Sequence, residues 1–243
     1  MSGAPAHLLE GIDLIVFDKD GTLIEFQRMW GGWVDQLASR LEAGTGRPLR
    51  DGLYGLLGVD DASGLVLAHG LMAATPMRRI RDVVEAYVSE AGIGRVAAAA
   101  AVERAWQAPD PVALAEPVTD LHALLARLRA RVPTFAVATS DDRGPTERTL
   151  EALGVAAEFA AVACADDGRP TKPAPDPVLH LCATLGIAPD RTAVVGDAPA
   201  DLRMARAAGV ARAIGVLTGV GDEASIAPLA DVVLESIAEL APA

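Results

Sequence analysis

The chain has 243 residues, of which 51% are hydrophobic, and it carries a formal net charge of -12 at pH 7. This length allows a large hydrophobic core and two compact units. The acidic balance argues against a nucleic-acid partner or an anionic-membrane partner, because such partners usually require a basic face on the protein.

The chain has only two cysteines, Cys164 and Cys182, and their spacing is not that of a metal site. No disulfide framework is predicted, and we expect both thiols in the core, Cys182 on a helix and Cys164 at a strand end. Residues 1–7 lack a basic region followed by a long apolar run, and no apolar stretch reaches the length of a membrane span. We therefore expect a soluble, cytoplasmic protein.

The first predicted element is a buried strand at residues 14–17, which ends in the acidic turn Asp18-Lys19-Asp20-Gly21. In an open α/β sheet the ligand lies beyond the carboxyl ends of the strands, where Asp18 and Asp20 are placed. Two close carboxylates repel each other, so the pair indicates a bound cation or a raised pKa. Both options suit phosphoryl transfer, in which an aspartate nucleophile forms an aspartyl-phosphate and Mg²⁺ neutralises phosphate charge.

The next stretch, residues 25–110, has helical patterns, an alanine-rich segment at 97–101 and no convincing strand. It is therefore predicted to be a helical insertion between the first strand and the rest of the sheet. Gly31 and Gly32 near its start, and Pro109-Asp110-Pro111 near its end, are predicted to serve as hinges.

From about Pro117 onward, apolar runs alternate with helical spacing. This alternation predicts a Rossmann-like α/β fold, a doubly wound parallel sheet with right-handed crossovers. The carboxyl ends of the strands then bring Asp18, Thr139 and Asp197 to one edge of the sheet. The predicted strands are 134–139, 159–164, 192–195, 211–216 and 231–234, and the predicted helices cover 121–128, 149–153, 176–185 and 199–208.

Four segments in order give the chain a family resemblance. Asp18-Lys19-Asp20-Gly21-Thr22-Leu23 resembles the first motif of the haloacid dehalogenase superfamily. Thr139-Ser140, Lys172 and the segment Gly196-Asp197-Ala198-Pro199-Ala200-Asp201 resemble the second, third and fourth motifs. The order of the four motifs and their places at strand ends make the signal specific. The resemblance implies a core of residues 1–24 and 111–243 and an α-helical cap domain of residues 25–110.

The same resemblance implies a phosphatase similar to phosphoglycolate phosphatases, acting on a small phosphorylated metabolite. Asp18 would attack phosphorus, and Asp20 would protonate the leaving oxygen and then deprotonate the hydrolytic water. Phosphate oxygens would be bound by Thr139, Ser140 and the backbone N–H groups after Asp20, including that of Gly21. Lys172 would offset the charge of the phosphate and of Asp18.

The predicted cofactor is Mg²⁺, which binds oxygen ligands. The resemblance implies that the carboxylates of Asp18 and Asp197 and the backbone carbonyl of Asp20 bind it, with Asp201 acting directly or through water.

Structural interpretations compete with these roles. Asp18 and Asp20 could belong to an ordinary strand-to-turn junction, Thr139 could be a strand residue, Lys172 a solvated loop lysine and Asp197 a helix cap. The placement of all four motifs at predicted strand ends favours the functional interpretation.

The same residues bear on other functions. A dehalogenase lacks a counterpart of Asp20, and phosphonate cleavage needs a cap lysine, which residues 25–110 do not contain. A sugar phosphomutase remains an alternative, although residues 24–30 lack its usual cap histidine. A poorly catalytic regulator that binds a phosphoryl ligand is the second alternative, and retention of Asp20 argues against it.

The substrate-selecting residues are predicted less directly. Arg28, Trp30 and Trp33 could line the cap side of the pocket, the arginine meeting a carboxylate or second phosphate. The favoured alternative places both tryptophans in the core of the cap. Lys19 stands where many members of the superfamily carry an apolar residue, and we expect it to be solvated or to face the cap rather than to pair with a substrate group.

Overall fold

The computed structural model describes residues 7–67, 70–73, 75–107 and 115–241. The side chains of Arg28, Met29 and Ala73 are not among the described ones, and neither is the predicted hinge at 109–111. The chain divides into two compact units. The first comprises Met1–Phe26 with Pro111–Ala243, and the second comprises Gln27–Asp110.

Within the described residues, the first unit contains six strands in one sheet. All neighbouring strands pair in parallel. This arrangement confirms the predicted doubly wound α/β sheet. The strands are β1 (Leu14–Phe17), β2 (Thr134–Ala138), β3 (Ala161–Ala163), β4 (Thr192–Gly196), β5 (Arg212–Val216) and β6 (Val232–Leu234), in the order β3-β2-β1-β4-β5-β6.

Nine α-helices accompany these strands in the described part of the chain. Helices α1 to α4 belong to the second unit, except for Phe26, and α5 to α9 belong to the first. The helices are α1 (Phe26–Thr45), α2 (Arg50–Leu57), α3 (Met77–Val88), α4 (Arg95–Ala105), α5 (Leu121–Arg129), α6 (Arg143–Ala152), α7 (Asp176–Leu185), α8 (Pro199–Ala208) and α9 (Glu223–Ile226).

The core of the first unit lies on both faces of the sheet. The four residues of β1 are fully buried, as expected of a central strand in a sheet covered on both sides. On one face, Leu14 and Val16 pack with apolar residues of α7 and α8. On the other face, the Phe17 ring makes an edge-on contact with Phe135, with ring centroids 6.1 Å apart. Both free cysteines are buried, Cys182 in α7 and Cys164 directly after β3, as predicted.

The strand order reverses between β1 and β4. The chain passes from β1 to β2 and β3 on one side and then returns to place β4 on the other side of β1. Such a reversal separates the loops that follow the two strands and leaves a crevice at their carboxyl ends. Asp18 and Asp197 directly follow β1 and β4, so the topology places both acids at this crevice.

The regular secondary structure of the second unit is helical in its described part, where the only strand-like contact is an isolated bridge between Val59 and Val66. Its core is formed by the buried apolar faces of its helices. A π-helical turn at Ser89–Ile93 follows α3. The described residues of the molecule contain no helix that is long and apolar enough to cross a membrane. The buried apolar side chains of this unit include Val34, Leu37, Leu41, Leu53, Leu57, Ile80, Val84, Val88 and Val102.

Candidate active site

Asp18 is held at the carboxyl end of β1 by the neighbouring strand. Its N–H donates to the carbonyl of Val195 in β4 over 2.8 Å. Its carboxylate is buried and accepts a 2.5 Å hydrogen bond from the Nζ atom of Lys172. The same ammonium lies 2.6 Å from Oδ1 of Asp201. Lys172 therefore joins an acid at the end of β1 to an acid in helix α8.

Asp197 directly follows β4, and both of its carboxylate oxygens accept hydrogen bonds. The Val220 N–H donates to Oδ2 over 2.8 Å, and the Thr22 hydroxyl donates to Oδ1 over 3.3 Å. Asp201 lies in the first turn of α8, where its Oδ2 accepts from the Ala198 N–H over 3.0 Å. These contacts fix the two acids of the fourth motif before any ligand binds.

The carboxylates of Asp18, Asp197 and Asp201 form one buried cluster. Each contributes an oxygen atom, and these atoms lie within 4.8 Å of one another. If all three carboxylates were ionised, the single ammonium of Lys172 would leave two negative charges of the cluster uncompensated. Burial is the largest cause that raises the pKa of Asp197 well above its usual range, and the negative charge of Asp18 is the second. This donor set fits a hard divalent cation such as Mg²⁺.

Burial also raises the pKa of Asp18 to about 7, against the opposing charge of Lys172. Burial alone would lower the pKa of Lys172, but the charges of Asp18 and Asp201 outweigh it and hold that pKa above its usual value. Lys172 thus stays charged beside Asp18, while Asp18 itself is easily protonated when no metal neutralises the cluster.

Thr139 directly follows β2, the other neighbour of β1. Its N–H donates to the carbonyl of Ala163 over 2.9 Å, and its hydroxyl accepts from the Asp141 N–H over 3.1 Å. Thr139 is buried and Ser140 is half-buried. The second motif therefore follows the strand beside β1.

Lys19 contradicts its prediction as a solvated or cap-facing side chain. It is fully buried, and its Nζ atom lies 2.7 Å from the carboxylate of Asp20 and 3.1 Å from Oδ2 of Asp141. Burial alone would lower the pKa of Lys19, but the charges of these two acids raise it. The long side chain can be buried because two carboxylates accept from its ammonium.

The Asp20 carboxylate lies with Lys19 and outside the three-acid cluster. Burial raises its pKa, against the opposing charge of Lys19. This position is compatible with acid/base work by the carboxylate and leaves the predicted metal contact to the Asp20 backbone carbonyl.

Gly21 makes the close turn that brings the first motif against Asp197. Its φ is +87°, and a Cβ atom there would lie 2.5 Å from Oδ2 of Asp197. Its N–H donates to the carbonyl of Ile24 over 2.7 Å. That hydrogen bond competes with the predicted use of this N–H for binding phosphate.

The four motifs give no role to the segment 218–221, which follows β5 and contacts the site. Its backbone packs against Asp197: a Cβ atom on Gly219 would lie 1.9 Å from the Asp197 carboxylate. The Thr218 hydroxyl donates to the carbonyl of Gly21 over 2.6 Å. A signal was present, since Thr218-Gly219-Val220-Gly221 is a glycine-rich turn directly after a predicted strand.

The predicted cap residues lie in the second unit. Trp30 and Trp33 are buried, with ring centroids 5.9 Å apart, and Trp33 also contacts Trp106 edge-on. The Nε1 atom of Trp33 donates to the carbonyl of Gln107 over 2.7 Å. This packing is expected of core residues, and a contact with substrate stays a prediction. The side chain of Arg28 lies outside the described residues.

Comparison with known proteins gives one consistent result. A family model described as haloacid dehalogenase-like hydrolase matches residues 12–209. The chain is 33% identical to a phosphoglycolate phosphatase of Rhodospirillum rubrum, over 81% of this chain and 76% of that protein.

Solved structures support the same fold at lower identity. A predicted phosphoglycolate phosphatase from Haemophilus somnus superimposes with a TM-score of 0.69 at 20% identity, over 96% of this chain and 97% of the other. A Thermotoga maritima protein assigned as a β-phosphoglucomutase gives a TM-score of 0.64 at 17% identity, over 94% and 97%. At these identities the two structures are informative about the fold alone.

Proposed function

The chain belongs to the haloacid dehalogenase-like hydrolase family, and from this we infer that it is a phosphatase that hydrolyses a small phosphomonoester with Mg²⁺ through an aspartyl-phosphate on Asp18. The similarity to phosphoglycolate phosphatases supports the reaction class, a phosphoric monoester hydrolase. The relatives' names also make phosphoglycolate the first substrate to test.

The observation that carries the proposal is the buried cluster of Asp18, Asp197 and Asp201 around Lys172. A structural role explains this cluster poorly, because buried like charges destabilise a fold unless a cation compensates them. An incoming phosphate adds further negative charge, and Lys172 and a divalent cation together would offset it.

In the first step, a carboxylate oxygen of Asp18 bonds to phosphorus while the bond between phosphorus and the leaving oxygen breaks. Asp20 gives its proton to that oxygen, so the product alcohol leaves neutral. Thr139 and Ser140 hydrogen-bond to phosphate oxygens, and the Lys172 ammonium stabilises the charge that gathers on them.

In the second step, Asp20 accepts a proton from a water molecule whose oxygen bonds to phosphorus. The bond between phosphorus and the Asp18 oxygen breaks, which releases inorganic phosphate and restores both carboxylates to their starting forms. Splitting the hydrolysis in this way replaces one difficult displacement by two easier ones.

The cation would be held by the carboxylates of Asp18, Asp197 and Asp201 and the backbone carbonyl of Asp20. When bound, Mg²⁺ supplies neutralisation of the phosphate charge and alignment of the phosphoryl group. We also propose that residues 25–110 form the cap that selects the substrate and excludes water from the site.

The test is phosphate release from a panel of phosphoglycolate, sugar phosphates and nucleotides, each with Mg²⁺ and again with EDTA. We expect Mg²⁺-dependent turnover, with one compound clearly preferred, and no turnover by an Asp18→Asn variant that melts within a few degrees of wild type. Net isomerisation of a sugar phosphate without phosphate release would instead indicate a phosphomutase. A fully active Asp18→Asn protein would overturn the assignment of the nucleophile.

A further inference from the structure

We propose that Lys19 is a positioning residue, whose buried ammonium fixes the Asp20 carboxylate relative to the loop that carries Thr139. The inference rests on the proposed function, since it concerns the residue that protonates the leaving oxygen. Lys19 lies between Asp18 and Asp20, but the roles given to the motif residues and to the three-acid cluster do not include it.

The geometry around the ammonium is well defined. The Nζ atom of Lys19 lies 2.7 Å from Oδ1 of Asp20 and 2.7 Å from Oδ2, so it contacts both carboxylate oxygens. On its other side it lies 3.1 Å from Oδ2 of Asp141. A charge-assisted contact to both oxygens restricts the rotation of the Asp20 side chain more than a single hydrogen bond would.

The Lys19 ammonium and the two acids that contact it differ in solvent exposure. The Lys19 side chain is 0% exposed, whereas those of Asp20 and Asp141 are 15% and 17% exposed. A ligand can therefore reach the acids but not the lysine. Lys19 can influence the reaction only through the side chains that it holds, which makes it a positioning residue rather than a catalytic one.

Asp141 extends the contact to the second motif. Its N–H donates to the Thr139 hydroxyl over 3.1 Å, and its carbonyl accepts from the Ala165 N–H over 2.9 Å. One ammonium thus ties the loop after β1, which carries Asp20, to the loop after β2, which carries Thr139. The proton donor and a predicted phosphate-binding hydroxyl are held in one charged network.

The effect of losing Lys19 on kcat/KM should depend on the leaving group of the substrate. A poor leaving group such as an alkoxide needs the Asp20 proton as its bond to phosphorus breaks, whereas 4-nitrophenolate leaves without one. If Lys19 positions Asp20, its loss should lower the kcat/KM of an alkyl phosphate far more than that of 4-nitrophenyl phosphate. A general loss of structure would lower both values together.

The experiment measures kcat/KM with Mg²⁺ on both substrates for wild type, Lys19→Met and Asp141→Asn. The matched control is Arg191→Met, which removes the ion pair to Asp13 at the opposite end of strand β1. For Lys19→Met we expect a loss of about 10- to 100-fold on the alkyl phosphate and of less than about threefold on the aryl phosphate. Asp141→Asn should show a smaller loss with the same selectivity, and Arg191→Met should match wild type on both substrates.

Equal losses on the two substrates, or no loss in either variant, would overturn the role of Lys19 while the phosphatase assignment stood. If Lys19→Met does not fold, the selectivity of Asp141→Asn decides in the same way. If wild type with Mg²⁺ hydrolyses neither these two substrates nor any phosphomonoester of the panel above, the proposed function fails, and the role of Lys19 in it fails as well.

Discussion

At the scale of single residues, the chemistry depends on Asp18 carrying a charge in a buried position. Burial raises its pKa to about 7 from the ordinary value of 3.8. In the metal-free protein a proton therefore competes with the cation for this carboxylate. The raised pKa also means that protonation stabilises the metal-free fold. That contribution is complete below the ordinary pKa and is lost as the pH rises through about 7.

This linkage predicts how Mg²⁺ affects thermal stability. The rise in Tm caused by Mg²⁺ should grow as the pH is raised from about 5 to about 8.5, because Asp18 loses its competing proton over that range. Asp18→Asn lacks one of the predicted ligands and cannot ionise at this position, so its shift should be smaller than that of wild type and should grow less with pH. A Mg²⁺ shift in wild type that is equal at both ends of the range would contradict the prediction.

The positions of Asp18, Thr139 and Asp197 could be predicted from sequence because each directly follows a recognisable apolar strand. Asp18 and Asp197 do lie together at the sheet edge, and Asp201 and Lys172 reach them from helix α8 and from the loop before α7. The burial of Lys19 could not be predicted, because its second partner, Asp141, is distant along the chain and no local pattern links the two. A buried lysine and a solvated one look alike in sequence.

At the scale of elements, helix ends were predicted best where glycine terminates the helix. Helices α7 and α8 match their predicted bounds to the residue. Each is followed by a left-handed glycine, Gly186 or Gly209. The predicted third strand began too early, at Phe159, whereas β3 begins at Ala161. Phe159 is buried by its edge-on contact with Phe17, so its apolar character reflects packing rather than strand pairing.

The turn after β5 should be essential because of its close approach to Asp197. In Gly219→Ala, the added Cβ atom would lie 1.9 Å from the Asp197 carboxylate, so the carboxylate or the turn must move. We expect Mg²⁺ affinity to fall by about tenfold or more, as for the loss of groups that orient metal ligands. Titration of activity with Mg²⁺ measures the change.

The matched control for this variant is Gly144→Ala in α6. An added Cβ atom there meets only an ordinary contact, 3.5 Å from Nη1 of Arg148, and helix propensity favours alanine. This variant should keep the wild-type Mg²⁺ affinity and be equally or slightly more stable. If Gly219→Ala also bound Mg²⁺ as wild type does, the turn would have no part in holding Asp197.

At the scale of the whole molecule, the two units differ in a way that experiments can use. All three tryptophans and both tyrosines fall in the unit Gln27–Asp110, whereas every acid of the proposed metal site falls in the other unit. Tryptophan emission therefore reports on the helical unit alone, and far-UV circular dichroism reports on both units.

A ligand that binds only one unit stabilises that unit by mass action. We expect Mg²⁺ alone to raise the midpoint of thermal unfolding followed by far-UV circular dichroism, with the midpoint followed by tryptophan emission unchanged. Asp197→Asn, which lacks one of the predicted metal ligands, should remove the shift. Equal shifts in both signals would mean that the two units unfold as one, contrary to this prediction.

The central claim is that Asp18 carries the phosphoryl group during turnover, and rapid acid quench of the working enzyme tests it most directly. Wild type with Mg²⁺ and its preferred phosphomonoester should yield a peptide containing Asp18 that is heavier by one phosphoryl group, as identified by mass spectrometry. Asp18→Asn and wild type with EDTA should yield none. Rapid turnover with no phosphorylated Asp18 peptide at any quench time, or with the phosphoryl group on another residue, would contradict the mechanism.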